Sequence, residues 1–315
     1  MGRPKRITYA RAKDTMKIGF ALPQFHRQAF DVARTAAFAS AIEEAGGASL
    51  WVGDRNLAAV RPVVGYGGRG STIPEELNPA ADPFVLLGVA ASATSRVLLG
   101  SHVLIAPLYP PVQLARSLTT IDLISGGRLL PGFGIGWSPE EYRAAGLDFT
   151  RRGARMDELL DALEAIWTTD PAGYEGDLLS VPEHHAPLKP ARRPRPPFYL
   201  GALSERALRR VARRGDGWLP VVIVPRFVDV DDLLAQRSLL DELTRQNGRD
   251  PRDIDTVLRL NIDAGTSTEK VADTLKEVHE RTGFDHFMID SMYDVDTADG
   301  SVEHARQILD LVAKG

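Results

Sequence analysis

Residues 97–133 read VLLGSHVLI APLYP PVQLARSLTTIDLI SGG RLLPGF, and this stretch holds one whole unit of the architecture. Val97 to Ile105 is a long, nearly continuous apolar run, the composition of a strand covered on both faces. Pro111 to Ile124 then repeats apolar residues at three and four, with proline pre-set for the first helical turn. Gly126-Gly127 stops the helix, and Arg128 to Phe133 begins the next apolar strand. Strand, helix and strand in so short a span call for parallel pairing through a crossover. Pro131 is out of place there, because a central strand loses a ladder donor at proline.

The same alternation extends in both directions. Met16 to Leu22 is a short strand closed by Pro23. Phe30, Ala33, Ala37, Phe38, Ala41, Ile42 and Ala45 then follow a helical period, and Gly46-Gly47 ends it. Ser49 to Gly53 reads as a second buried strand and Asp82 to Ala93 as its helix. After the opening stretch, Gly153 to Trp167 is a helix, Phe198 to Gly201 a strand and Glu205 to Arg214 a helix. Gly217 to Val224, Asp231 to Gln246, Thr256 to Asp263, Thr268 to Arg281, Asp285 to Asp290 and Val302 to Val312 complete the series. Eight strand–helix pairs predict an α/β fold of the TIM (β/α)8 barrel type. An open dinucleotide-binding sheet would place G-x-G-x-x-G after its first strand, and this chain has Ala21-Leu22-Pro23-Gln24.

Residues 16–315 are thus expected to form a single barrel domain, with 1–15 as a flexible tail and insertions at the C-terminal face. Two long insertions interrupt the pattern. Arg55 to Pro79 contains Gly65-Tyr66-Gly67-Gly68-Arg69-Gly70 and reads as a mobile lid. Asp170 to Pro197 carries a small hairpin at Tyr174 to Leu179 and a proline-rich stretch, expected as a spacer over the barrel mouth.

Composition narrows the function. Among 315 residues, Lys and Arg number 38 against 42 Asp and Glu, a net charge of −4 that argues against a nucleic-acid surface. There is no cysteine, which excludes disulfides, thiolate catalysis and Cys-ligated metal. No apolar stretch is long enough for a membrane span and no signal pattern opens the chain, so a cytoplasmic protein is expected. His184-His185, adjacent on a loop, lack the carboxylate–histidine spacing of a metal site, and no metal is expected.

Barrel chemistry sits at the C-terminal ends of strands. Those positions hold Gln24 and His26 after the first strand, Asp54 and Arg55 after the second, and Gly134-Ile135-Gly136-Trp137 after the fourth. Ser101 and His102 are polar inside the third strand, which either a satisfied core pair or a ligand-facing bulge explains. Ser204 is a good N-cap for the helix Glu205 to Arg214, and the amides around it face the positive end of that helix.

Val97 to Val103, Pro107, Pro111, Ala115-Arg116 and Ile121 to Leu129 together resemble the core of the luciferase-like flavin and deazaflavin (coenzyme F420) oxidoreductases. Gly134 to Trp137, Glu141, Gly146, Arg152, Asp157-Glu158, Trp167, Gly176, Pro197, Gly201 and Gly215 to Trp218 carry the likeness over most of the chain. The resemblance implies a cofactor across the barrel mouth, its ring against a bulge in the third strand that includes a cis peptide, here between His102 and Val103. It implies a cofactor phosphate on the amides at Gly201-Ala202-Leu203-Ser204. The implied cofactor-binding set is Ser101, His102, Val103, Gly134, Gly136, Trp137, Gly201, Ala202, Leu203 and Ser204, and the catalytic set is Asp54, Arg55 and His102. Asp54, Arg55, His102 and His26 are the candidates for electrostatics and proton transfer, Arg55 binding anionic charge rather than acting as an acid, and His102 able to donate a proton because imidazole titrates in the useful range.

Three departures from the family pattern bear on activity. Arg55 stands where histidine is frequent, so a general acid is missing there. Ala202 replaces a second glycine. Trp137 and Glu140 replace the Glu and Asn of the sugar-phosphate dehydrogenases, which speaks against that reaction. The expected function is hydride transfer between F420 and a small organic substrate with a C=C, C=O or alcohol group, by a homodimer. An FMN monooxygenase with a partner reductase, and a barrel that binds cofactor without turnover, are the alternatives.

Overall fold

The computed structural model describes residues 16–68 and 70–314. The tail 1–15 and Arg69 of the glycine-rich loop lie outside the described residues. Lys17–Ala21 forms strand one and Ser49–Val52 strand two. Strand three comes in two pieces, Leu98–Ser101 and Leu104–Ile105, as does strand four, Leu129–Leu130 and Gly132–Gly134. Tyr199–Gly201 is strand five, Gly217–Leu219 with Val221–Val224 strand six, Asp255–Ile262 strand seven and His286–Asp290 strand eight. All the ladders between them are parallel, and strand eight returns to strand one, so the ring closes as the predicted (β/α)8 barrel. Its covering helices are α1 (Thr35–Glu44), α2 (Pro83–Ala93), α3 (Pro111–Ser125), α5 (Arg152–Thr168), α6 (Glu205–Arg214), α7 (Val230–Gln246), α8 (Thr268–Thr282) and α9 (Ala298–Ala313). A short α4 (Pro139–Ala144) is added after strand four. No described helix is long and apolar enough to cross a membrane.

The barrel interior is packed rather than open. Trp51, Leu130, Tyr199, Leu219, Val257 and Met288 fill it, and glycine at positions 19 and 100 makes room for Trp51, because a Cβ at either would strike its indole. The Trp51 Nε1 donates to Ser49 Oγ at 2.7 Å, and Ser49 Oγ lies 2.8 Å from His286 Nε2, so these three buried polar atoms are paired.

Three strands break for a local reason each. Pro131 and Pro220 lack the amide a ladder needs, and each falls between the two pieces of its strand. Beside Pro131, the Ser101 hydroxyl donates to the Gly132 carbonyl at 2.9 Å and accepts from the Gly132 amide at 2.8 Å. Ser101 therefore restores hydrogen bonds that Pro131 interrupts. This accounts for the serine inside an apolar strand and for the proline. Strand three breaks at His102–Val103, whose peptide bond is cis.

Two readings are corrected. The helix placed over Phe30 to Ala45 starts as a 3-10 segment, His26–Arg34, before α1. The second insertion does not lie over the mouth. It leaves a helix and enters a strand, so its ends lie at the opposite face, while its hairpin tip reaches the rim of the mouth, where Arg155 donates to the Leu178 carbonyl at 3.1 Å and to the Pro107 carbonyl after strand three at 2.8 Å. Its hairpin, Ala172–Glu175 with Ser180–His184, runs back along α5, where Glu158 accepts from the Leu178 and Leu179 amides at 2.9 Å. Its proline-rich part is tied to the last turns of α5 and α3 by Lys189 Nζ on the Ile166 carbonyl, 2.6 Å, and the Arg192 amide on Asp122, 2.9 Å.

Candidate active site

The C-terminal ends of strands two to four gather a compact group. Asp54 follows strand two, and its Oδ2 accepts both the Ile105 amide at 2.7 Å and the Tyr109 hydroxyl at 2.8 Å. Burial pushes its carboxyl up to about 7, against the pull of those two donors, and the neighbouring Glu141 and Asp82 charges add to the rise. Its proton is therefore shared near neutral pH. Burial together with the Asp54 carboxylate raises Tyr109 in turn, which keeps the phenol a donor.

Arg55 lies with its guanidinium 4.8 Å from the centre of the Trp137 ring, and Tyr66 meets the same ring edge-on at 5.7 Å. The Nε and Nη2 of Arg55 are buried without an acceptor among the described residues. Burial lowers its pKa while Glu141, Tyr66 and Glu140 oppose the fall. Two idle buried donors on a cation match an oxygen-rich or anionic ligand group. The lid loop that carries Arg55 is pinned to α4: Glu141 accepts from the Asn56 amide at 2.8 Å and Glu140 from the Val63 amide at 2.6 Å. Two carboxylates taking backbone amides of a single loop define how it lies on the mouth.

Beside this group the backbone is bare. Gly134 and Gly201, at the ends of strands four and five, both face the Val103 side chain, and a Cβ at Gly134 would intrude on it. Gly136 has φ 65°, a left-handed conformation, and its Cβ would meet Ile105. After strand five, Ser204 caps α6 by accepting from the Ala207 amide at 3.4 Å. The preceding Ala202 is buried and takes no positive φ, so the missing glycine costs no strain here.

Other expected positions lie in the barrel interior or between strand ends. Ser101 faces Gly132, as described. His102 points away from the mouth into the interior, 6% exposed, in an edge contact with Trp51 at 6.3 Å. Burial, helped by the nearby Arg259 charge, drives its pKa down to about 3, so the ring is held neutral, and its Nε2 is buried without a partner among the described residues. Its carbonyl accepts from Arg259 Nη1 at 2.7 Å, and Arg259 Nη2 is paired with Asp290 at 2.6 Å. Gln24 bridges the ends of strands one and two through both the amide and carbonyl of Gly53, at 2.6 and 3.1 Å. His26 Nδ1 lies 3.1 Å from the Met292 carbonyl. Tyr66, Tyr109, Glu140 and Glu141 gained no role from the sequence because each acts across a loop. The aromatic between two glycines at Tyr66 was the one available signal.

A cavity of about 810 Å³ opens over the ends of strands six to eight, lined by Ile223, Pro225, Asn261 and Tyr293 among others, and by Tyr66 of the lid. Tyr66 alone links it to the Asp54–Arg55–Trp137 group, which it otherwise adjoins without sharing. Its volume suits a small organic molecule.

Comparison with known proteins follows the same line. The profile of the luciferase-like monooxygenase family matches residues 16–311. An uncharacterised protein of Mycobacterium tuberculosis is 35% identical over 170 residues, covering 54% of this chain and 58% of its own. The phthiodiolone/phenolphthiodiolone dimycocerosates ketoreductase of the same species is 30% identical over 244 residues, covering 74% of this chain and 61% of its own. The chain thus spans less than two thirds of either relative. A monooxygenase of Streptomyces bottropensis superposes with a TM-score of 0.76 at 18% identity, covering 95% of this chain and 99% of its own. An F420-dependent secondary alcohol dehydrogenase in complex with an F420–acetone adduct gives 0.74 at 15% identity, with the same coverage of 95% and 99%. The F420-dependent tetrahydromethanopterin reductase of Methanopyrus kandleri gives 0.72 at 15%, covering 96% and 99%. At these identities the shared property is the fold.

Proposed function

The chain belongs to the luciferase-like monooxygenase family, and on that premise we propose that it moves hydride between coenzyme F420 and a small organic substrate at a C=O, alcohol or C=C bond. The observation that carries the reading is Asp54, whose carboxyl sits at a strand end with its pKa raised to about 7. Reduction of a carbonyl needs hydride at carbon and a proton at oxygen, and oxidation of an alcohol needs the reverse. A carboxyl half-protonated near pH 7 serves both directions. The F420 relatives support the cofactor class and the mycobacterial ketoreductase supports a carbonyl substrate.

The residues present fit a flat cofactor bearing an anionic group. The unpaired buried donors of Arg55 and the bare Gly134 and Gly201 beside Val103 support this fit. Val103, Gly134, Gly136, Trp137, Gly201 and Ala202 would hold the ring region, and the amides of Leu203 and Ser204 at the start of α6 its phosphate. Bound there, the cofactor supplies or accepts the hydride. Asp54 holds the proton and passes it to or from the substrate oxygen, while Tyr109 fixes the carboxyl by its hydrogen bond. Arg55 offsets negative charge that develops at that oxygen. The lid, held down by Glu140 and Glu141, limits the access of water.

We further infer a homodimer, supported by an apolar outer surface on α2 and α3 where Val85, Val89, Val112, Leu123 and Ile124 are exposed. Separate titration of the purified chain with F420 and with FMN tests the cofactor. Saturable F420 binding is expected, followed by loss of its absorbance when alcohols are added, or by its return when ketones are added to the reduced cofactor. Tight FMN binding with oxygen consumption once the flavin is chemically reduced would replace the proposal by the monooxygenase reading, and F420 binding without redox change across the panel by a binding-only role.

A further inference from the structure

The inner wall of the cavity over strands six to eight carries a polar group with no internal use. Val257, Arg259 and Asn261 alternate on one face of strand seven. Val257 belongs to the barrel interior, so the other two rise from it toward the mouth. Arg259 Nε donates to Asn261 Oδ1 at 2.7 Å. Arg259 is itself fixed by Asp290 at 2.6 Å and by the His102 carbonyl at 2.7 Å. Arginine has donors only, so the atom of Asn261 that faces it must be the oxygen. The amide nitrogen is then the part of Asn261 left for the cavity that this residue lines. The only side-chain hydrogen bond of Asn261 among the described residues is that from Arg259, and its amide nitrogen is not one of the fully buried unpartnered atoms, so it keeps open surface although the residue is 3% exposed. The neighbouring Arg226 is engaged with Asp263.

We propose that this cavity is the organic-substrate pocket and that the Asn261 amide group is the donor that recognises a carbonyl oxygen of the substrate, distinct from the oxygen that exchanges its proton with Asp54. The remainder of the wall sets the rest of the class. Tyr66 and Tyr293 offer ring faces and Ile223 and Pro225 an apolar surface, while Glu76, Asp263, Thr266, Ser267 and Lys270 make the rest of the lining polar, so the fitting substrate carries its carbonyl on an aromatic or cyclic body that also bears polar groups. Because Arg259 spans from Asn261 to the His102 carbonyl in strand three, the substrate-anchoring amide and the Val103 bulge are held to one another through a single side chain. Asn261 is here a binding and positioning residue.

The carbonyl class rests on the hydride-transfer reading, and the test measures binding alone. Acetophenone and ethylbenzene share a carbon frame and differ in the oxygen. Titrated into the full chain and followed by ligand-observed NMR, acetophenone is expected to bind about tenfold tighter, the effect of one desolvated hydrogen bond. Asn261→Ala should bring the two affinities together by weakening acetophenone only. Asn261→Asp keeps an acceptor for Arg259 but removes the donor, and should do the same, which separates loss of the amide from loss of fold. Ile223→Trp, which fills the cavity, should abolish binding of both. Equal affinities in the parent chain, no binding of either probe, an unchanged ratio in Asn261→Ala, or unaltered binding in Ile223→Trp would overturn the proposal. So would displacement of acetophenone by saturating F420 or FMN, since the donor would then serve the cofactor. A chain that binds F420 without an Asn261-dependent preference loses this inference alone. One that shows the preference and binds no cofactor loses only the assigned chemistry.

Discussion

At the scale of single residues, Asp54 makes the most direct demands. Its carboxyl sits near 7 in the fold against an ordinary value of 3.8, so the folded state favours the protonated form. The stability this contributes is complete below about pH 4 and is lost as pH rises toward 7, with a slope of up to about 1.4 kcal/mol per pH unit. Asp54→Asn should flatten that slope in urea-unfolding midpoints measured from pH 4 to 8, and should slow turnover by about 10² to 10⁴. Tyr109→Phe removes a hydrogen bond that favours the carboxylate. The inflection in the pH–rate profile should therefore move upward, with little loss of rate on its acid side. His102 gives the contrasting case: as a buried neutral ring its replacement by Phe should leave the pH profile in place and change only the unfolding midpoint. Asp54 was legible as a candidate because the end of a barrel strand is a position that a count along the chain can reach. Tyr109 and Asn261 escaped because what matters about them is which atom of a partner they face, and no periodicity encodes that.

At the scale of elements, the interrupted strands show what was legible and what was not. Pro131 announced a fault in strand four and Ser101 an oddity in strand three, yet neither explained itself. The two are one device, visible only once the strands are neighbours. Ser101→Ala would leave the Gly132 amide and carbonyl without that hydroxyl and should cost about 1–3 kcal/mol in denaturant unfolding. The second insertion was misplaced for a different reason. Its composition suggested a cover for the mouth, although its position between a helix and a strand already assigned its ends to the other face. The first insertion was read correctly as a loop, but its attachment was hidden, since Glu140 and Glu141 belong to a helix after strand four. Replacing both by Ala should raise amide hydrogen exchange at Asn56 and Val63 while strands one, two and eight stay protected. Unchanged exchange there would remove the pinning role.

The whole molecule offers two surfaces with opposite fates. The mouth is polar and partly covered. The outer face of α2 is apolar nearly all round, which a helix standing in water does not need to be. Val85→Lys with Val89→Glu should convert a dimer to a monomer in light scattering after gel filtration while the unfolding transition persists. A parent chain already monomeric at micromolar concentration would end the dimer inference. The placement of the tryptophans has an optical consequence. Of four in the chain, Trp51, Trp167 and Trp218 are no more than 1% exposed, and Trp137 alone stands partly open, under Arg55 and Tyr66 of the lid. A soluble quencher such as acrylamide therefore has one indole within easy reach. The quenchable fraction of the emission reads the opening of the loop in the unlabelled protein, in real time and without turnover.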